Sequence, residues 1–189
     1  PPRMPEMYAD NGAELVSLMK RAKAAGVATS LDMAAVDENA PAGQADWKEI
    51  LKNVLPFVDF FVPSVEELCF MLDRERFHEW QKRADGRDIT EILDVEKDIR
   101  PLAEQCMEFG AKVLLIKCGV PGMYLRTADK NSLEKTGSKA ELSADMWSEK
   151  EIFEKSYVPD RVRSGTGAGD SSIAAFLTAM LEGCEPDEA

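Results

Sequence analysis

Three small residues lead into an acidic one near the end of the chain, in the run Gly167-Ala168-Gly169-Asp170. Small side chains let backbone amides approach a ligand closely, and the apolar periodicity that follows predicts that this run opens a helix. Amides at the amino end of a helix bind anions, and a nearby carboxylate can accept the proton of an attacking hydroxyl. Phosphoryl transfer requires both features. A simpler explanation is also open, in which the glycines only form a turn and Asp170 only caps the helix.

Two familiar glycine motifs fit this run poorly. A P-loop requires Lys followed by Ser or Thr after its glycines, and no such pair follows here. A dinucleotide fold requires the spacing GxGxxG directly after an apolar strand, whereas residues 159–163 are mostly polar. A dinucleotide-dependent oxidoreductase is therefore disfavoured.

Helical and strand patterns alternate along the rest of the chain. The runs 27–33, 58–62 and 113–116 are short and apolar, as in buried strands, and 123–126 has the pattern of a short returning strand. Amphipathic helices separate these runs. The alternation predicts an α/β fold, with a single domain over residues 1–189 and a mostly parallel sheet covered by helices on both faces. Ligands of such sheets bind at the carboxyl ends of the strands.

Two stretches depart from this alternation. Residues 73–98 are densely charged, which predicts a mobile connection or surface helices, and residues 128–155 are polar, which predicts a hairpin or an ordered insertion. We interpret both as surface insertions. The single histidine, His78, lies in the first stretch and is expected at the surface.

Two pairs of residues have the spacing of a capping box, in which a side chain before a helix and a Glu inside it bind each other's backbone amides. Asn11 and Glu14 form one pair, and Ser64 and Glu67 form the other. Each pair precedes an apolar periodicity of helical spacing, so each predicts where a helix begins.

The overall charge limits the kinds of partner. With 35 acidic and 23 basic side chains, the net charge is -12, which repels nucleic acid and anionic lipid surfaces. We therefore expect neither nucleic acid nor a membrane as a partner, although local amides can still hold a nucleotide. Four widely spaced cysteines without a zinc pattern, and no apolar run of membrane-spanning or signal-peptide type, predict a reduced, cytoplasmic protein.

The run 164–170 resembles the carboxyl-terminal signature of the ribokinase-like (PfkB) carbohydrate kinases, which reads Asp-Thr-x-Gly-Ala-Gly-Asp before a helix of small residues. By this resemblance Gly167, Ala168 and Gly169 form the anion hole. Asp170 is then the base that activates the acceptor hydroxyl, and ATP is the phosphate donor.

The start of this run departs from the family pattern. Ser164 and Gly165 replace the usual Asp and Thr, while Thr166 is assigned to nucleotide binding. Because the usual Asp often helps to hold a monovalent cation, the resemblance leaves potassium dependence open.

A second segment, residues 63–68, is similar to the family's Asn-x-x-Glu element, with Ser64 in place of Asn. By this resemblance Glu67 organises Mg²⁺ and the phosphates through water. A hard cation prefers oxygen ligands and keeps several waters, so one nearby carboxylate is reasonable. Glu67 could equally serve only as a helix cap.

Two further segments complete the resemblance. Residues 116–122 are similar to the family's nucleotide-contacting turn, to which Lys117, Gly119 and Gly122 are assigned. The charge of Lys117 could meet a phosphate or point to solvent. Asp32 is what remains of a strand end that often reads Asp-x-Asn-x-Arg, and it is a candidate substrate contact or a structural residue.

The resemblance implies a three-layer α/β/α ribokinase-like fold and an ATP- and Mg²⁺-dependent kinase acting on a hydroxyl of a sugar or nucleoside. Family members are longer, with sugar-binding glycines and a β-sheet lid before this region. We therefore expect a fragment that lacks the N-terminal part and the lid and transfers little phosphate alone. The lid often joins family members into dimers, so the sequence leaves open whether the full-length protein is a homodimer. The alternative is a non-catalytic nucleotide-binding or scaffold protein of the same fold.

Overall fold

The structure of the protein is a computed structural model that describes residues 1–158, 160–161 and 165–189. Ser164, on which the question of potassium dependence rests, lies outside these residues, as does part of the polar stretch 159–163. The fold is built on a central sheet of short strands.

Within the described residues the sheet contains five strands in the order β1-β2-β3-β4-β5, each after the first beside the strand that precedes it in the chain. The first three pair in parallel, and β4 is antiparallel to both β3 and β5. Four of the five strands therefore run in the same direction, which confirms the predicted mostly parallel sheet. The strands are β1 (Ser30–Leu31), β2 (Phe60–Phe61), β3 (Val113–Lys117), β4 (Gly122–Thr127) and β5 (Glu151–Lys155).

Helices separate most of the strands along the chain. Each amphipathic helix buries the face that carries its apolar residues. Among the described residues no helix is long and apolar enough to cross a lipid bilayer. The helices are α1 (Pro5–Tyr8), α2 (Ala13–Ala24), α3 (Trp47–Val54), α4 (Val65–Leu72), α5 (Arg74–Ala84), α6 (Arg100–Glu108), α7 (Lys130–Leu133), α8 (Ala144–Trp147) and α9 (Ala168–Leu181).

The buried apolar residues that the structure describes form two clusters, one on each face of the sheet, because successive side chains of a strand point to opposite faces. Leu114 and Ile116 of β3 belong to the larger cluster, which contains the buried faces of α2 to α6. Val113 and Leu115 belong to the smaller cluster, which contains buried residues of α7, α8 and α9. Helices on both faces give the expected three-layer α/β/α arrangement.

One predicted capping box is present and the other is not. Ser64 and Glu67 bind each other's backbone amides at the start of α4, as predicted. The prediction for Asn11 and Glu14 is wrong, because Asn11 has a left-handed φ of 52° and the residue before α2 is Gly12. A left-handed turn thus takes the place that the side-chain cap was expected to fill.

Both stretches that depart from the alternation contain regular structure. Residues 73–98 include α5 and a 3₁₀ turn at Ile89–Ile92, and Trp80 of α5 is fully buried. His78 is partly exposed, with its Nε2 3.2 Å from Oε2 of Glu38. Residues 128–155 contain α7 and α8 and end in β5, which extends the sheet.

Candidate active site

A cavity of about 400 Å³ lies where β1, β2 and β3 end and α9 begins. Parallel strands bring the segments that follow them to the same edge of a sheet, which is where ligands of such folds bind. The cavity brings together seven of the residues proposed from the sequence, namely Asp32, Glu67, Lys117, Gly119, Gly167, Gly169 and Asp170. We call this cavity the strand-end pocket.

Helix α9 begins as the small-residue run predicts. Gly167 precedes the helix with φ 80° and ψ 0°, a conformation that favours glycine, and Asp170 is the third helical residue. Asp170 therefore does not occupy the capping position. Its carboxylate is exposed, at the positive end of the helix dipole. A base at this place is accessible to a ligand in the pocket.

The backbone at the start of α9 is partly engaged within its own turn. The first amides of a helix have no partner inside the helix and are free to bind an anion. Here the Ala168 amide donates to the Gly165 carbonyl over 3.2 Å. Of the three proposed anion-hole residues, Gly167 and Gly169 line the pocket, whereas Ala168 does not line it. Thr166 lies in the preceding turn, outside the lining.

Lys117, the last residue of β3, forms an ion pair with Asp32. Its Nζ lies 2.9 Å from Oδ1 and 3.0 Å from Oδ2 of that carboxylate. The two side chains are 14% and 31% exposed, so water screens this pair only in part. A Cβ built on Gly169 would lie 3.6 Å from Nζ. The ammonium group therefore sits against the first turn of α9.

Glu67 serves as a helix cap in this structure. Its Oε2 accepts a 3.1 Å hydrogen bond from the Ser64 amide. Burial raises the pKa of the neighbouring Glu66, and the carboxylates of Asp88 and Glu67 raise it further. Within the described part of the chain, no three His, Cys, Asp or Glu side chains are grouped to hold a metal ion. A magnesium ion bound mainly through water and phosphate fits these carboxylates better than a direct protein cage.

The charged stretch 73–98 forms part of the strand-end pocket, although its sequence did not indicate a role in the site. Asp88 and Thr90 line it, and the Thr90 amide and hydroxyl both donate to Asp88 Oδ1, over 2.8 Å and 2.7 Å. Gly119 has φ 66°, and a Cβ there would lie 2.7 Å from Thr90 Oγ1. An Asp two residues before a Thr predicts this local turn, but no sequence pattern places the turn beside Gly119.

Gly122 lies elsewhere. It begins β4 with φ 140°, and a Cβ there would lie 2.0 Å from the Glu154 carbonyl oxygen of β5. The β4–β5 pairing thus requires a glycine at this position. Gly122 lines a second, more apolar cavity of about 530 Å³, together with Leu115 and Phe176.

Comparison with known proteins identifies the family. The sequence profile described as pfkB family carbohydrate kinase matches residues 10–189. The chain belongs to the pfkB family of carbohydrate kinases. A relative from Archaeoglobus fulgidus, named an uncharacterized sugar kinase, is 24% identical over 181 residues, which are 94% of this chain and 51% of that protein.

Solved structures share the pfkB fold. The Arabidopsis thaliana ribokinase, solved with ribose and ATP, has a TM-score of 0.58 and 23% identity over 94% of this chain and 42% of its own. A PfkB protein from Polaromonas sp. JS666 has a TM-score of 0.52 and 17% identity, over 96% of this chain and 45% of its own. The chain thus spans about half the length of its relatives, and these similarities establish the ribokinase-like fold.

Proposed function

We propose that this pfkB-family chain carries the phosphate-transfer site of a kinase that moves the γ-phosphate of ATP to a hydroxyl of a sugar or sugar-like molecule. The observation that carries the proposal is the strand-end pocket, in which the exposed Asp170 carboxylate and the Lys117 ammonium both adjoin the first turn of α9. A base, a cation and oriented amides around one cavity are the groups that phosphoryl transfer uses.

The proposed reaction is a direct displacement at the γ-phosphorus. Asp170 accepts the proton of the acceptor hydroxyl, whose oxygen then forms a bond to phosphorus. The bond from that phosphorus to the bridging oxygen breaks, and ADP leaves with the electron pair. Amides of Gly167 and Gly169 stabilise the negative charge of the transferred group, and the Ala168 amide joins them only when it leaves the Gly165 carbonyl.

The remaining site residues are proposed to hold the donor. Lys117 binds phosphate, and Gly119, Thr166 and Gly122 contact the nucleotide along the turn and towards the second cavity. Mg²⁺, when bound, would shield phosphate charge, and Glu67 and its neighbouring carboxylates would hold it through water. Asp32, which the resemblance offered as a contact to the acceptor, is already paired with Lys117.

Phosphoryl transfer tests the proposal directly. The longest natural form of the protein is incubated with ATP, Mg²⁺ and a panel of sugars and nucleosides. Asp170→Asn should lower kcat by about 10²- to 10⁴-fold while nucleotide affinity is retained, because general-base catalysis contributes rate acceleration of this order. The matched control is Asp145→Asn, an exposed carboxylate outside the pocket. Full activity of Asp170→Asn would exclude Asp170 as the base.

One observation favours a second candidate function. The Ala168 amide is directed to Gly165 rather than to the pocket, which weakens the anion hole needed for transfer. A non-catalytic nucleotide-binding or scaffold protein of the same fold has no need of that amide. Binding of ATP without phosphorylation of any acceptor, in the experiment above, would favour this candidate.

A further inference from the structure

We propose that Asp32 is the internal counter-ion of Lys117 and that it acts on phosphate binding through this lysine, rather than by contacting the acceptor. The inference rests on the proposed function, since the phosphate concerned is that of the nucleotide. It assigns Asp32 as a positioning residue.

The hydrogen bonds of Asp32 support this role. Both carboxylate oxygens lie within 3.0 Å of Lys117 Nζ. Oδ1 also accepts a 2.8 Å hydrogen bond from the Met33 amide. The carboxylate is thus directed at the ammonium by the backbone that follows β1, and much of its capacity to accept hydrogen bonds is already used.

Lys117 is held in place from its other end. Its backbone amide donates to the Pro63 carbonyl over 2.9 Å, which continues the β2–β3 pairing past the end of β2. The side chain therefore starts from a fixed point, and its ammonium adjoins the first turn of α9. A positive charge at the positive end of a helix dipole is unfavourable when it is unpaired. Asp32 offsets that charge while the phosphate is absent.

Phosphate binding and the Asp32 contact are consequently linked. A phosphate at the start of α9 presents oxygens to the same ammonium that Asp32 binds. If Lys117 is replaced by an apolar residue, the Asp32 carboxylate is left unpaired in the pocket and repels the phosphate. In that variant, removal of the Asp32 carboxylate should improve phosphate binding. The change in phosphate affinity on removing Asp32 should therefore be different in the protein that keeps Lys117, where the ammonium pairs with the carboxylate.

A double-mutant cycle measures the link, with inorganic pyrophosphate and Mg²⁺ as the probe and calorimetry as the measurement. Lys117→Met should weaken pyrophosphate affinity by about 10- to 100-fold, the usual range for a lost charged hydrogen bond. Asp32→Asn should strengthen affinity in the Met background. The effect of Asp32→Asn in the two backgrounds should differ by about threefold or more, as for contacting residues.

Two further sets of variants keep the cycle interpretable. Lys117→Arg retains the cation and should bind pyrophosphate within about threefold of wild type, since the charge supplies most of the interaction. The Lys130–Asp145 pair is exposed and lies outside the strand-end pocket, so Lys130→Met and Asp145→Asn should leave affinity unchanged. Urea unfolding of every variant shows whether it is folded.

Three results would overturn the inference: no pyrophosphate binding by wild type, additive effects of the two substitutions, or an Asp32→Asn variant that raises only the KM of the acceptor. The outcome is separate from that of the kinase proposal. If the two substitutions are coupled in their effect on pyrophosphate affinity but no acceptor is phosphorylated, only the kinase proposal is wrong. If an acceptor is phosphorylated but the two substitutions have additive effects on pyrophosphate affinity, only the counter-ion proposal is wrong.

Discussion

The indole Nε1 of Trp80 donates a 3.0 Å hydrogen bond to Oδ1 of Asp98, so α5 is bound to the far end of the charged stretch 73–98. Asp98 also accepts hydrogen bonds from Arg83 and from the Asp94 amide. The turn that carries Thr90 lies between these anchors along the chain. The segment that carries one wall of the strand-end pocket is therefore fastened by the carboxylate of Asp98, which lies outside the pocket lining.

Asp98→Ala should lower the free energy of unfolding by about 2–3 kcal/mol, because it leaves the buried Trp80 N–H without its acceptor. Urea denaturation at pH 7 measures this. Asp98→Asn keeps an acceptor oxygen and should cost less. Loss of the carboxylate should also weaken pyrophosphate binding at the pocket, since the Thr90 turn is no longer anchored. Equal stability of wild type and Asp98→Ala would show that the contact contributes nothing.

The stability difference between wild type and Asp98→Asn should depend on pH. Burial alone would raise the pKa of Asp98, but the hydrogen bonds from Arg83, the Asp94 amide and Trp80 together lower it below its ordinary value. A lowered pKa contributes stability above the unfolded value of about 3.9, and this is lost as the pH falls through the folded pKa. Unfolding curves should show the full difference at pH 7 and its decline in acid. A constant difference would contradict this cause.

Gly119→Ala should lower unfolding free energy by about 2–4 kcal/mol, from left-handed strain of about 1–2 kcal/mol and overpacking against Thr90. Gly86→Ala is the matched control, because Gly86 has φ 81° but no atom within 4 Å of its added Cβ. Gly86→Ala should therefore lose only the stability that the left-handed backbone strain costs. Thr90→Ala in the Gly119→Ala background should recover stability. Equal losses in Gly86→Ala and Gly119→Ala would contradict the close contact.

Gly122→Ala and Gly169→Ala should separate a glycine required by the fold from one required by the site. The first places a Cβ 2.0 Å from the Glu154 carbonyl oxygen and should lower unfolding free energy by about 3 kcal/mol or more. The second lies in a helix with room for a methyl group, so stability should be unchanged or rise by up to about 1 kcal/mol. Its methyl would adjoin Lys117 and should weaken pyrophosphate binding. Normal binding by Gly169→Ala would count against a phosphate at this turn.

Glu66→Gln should stabilise the protein near neutral pH. Burial, with Asp88 and Glu67 nearby, raises the pKa of Glu66. A raised carboxyl pKa gives stability that is present below the unfolded pKa and lost as the pH rises through the folded value. Thermal unfolding should therefore show the variant above wild type at pH 7 and equal to it in acid. Mg²⁺ should stabilise wild type more than the variant, and the opposite order would exclude Glu66 from a cation site.

Local patterns predict the sheet because buried strands and turns have short-range signals. The apolar run 113–116 corresponds to β3, and the Ser64–Glu67 spacing to a capping box that is present. The same spacing fails at Asn11, where the chain turns through left-handed backbone before Gly12. The spacing of two residues in the sequence indicates whether their side chains could form a capping box, but it does not predict the backbone conformation that the box requires.

Contacts between distant segments are harder to derive from the sequence. The charge of residues 73–98 suggests a solvated stretch. The one tryptophan in it, Trp80, does not by itself predict that α5 packs on the core. The Lys117–Asp32 pair joins residues 85 positions apart. Only the packing of β1 beside β2 and β2 beside β3 brings their side chains to one edge.

The order of the strands also bears on synthesis. Each strand from β2 to β5 lies beside the one made just before it, so the partner to which it adds has already been synthesised when it emerges. Chains grow at about 5–20 residues per second, slowly enough for neighbouring segments to associate during translation. Among the described elements the sheet can thus grow strand by strand as the protein is made, and the Asp170 helix follows when these five strands are already available to pack against.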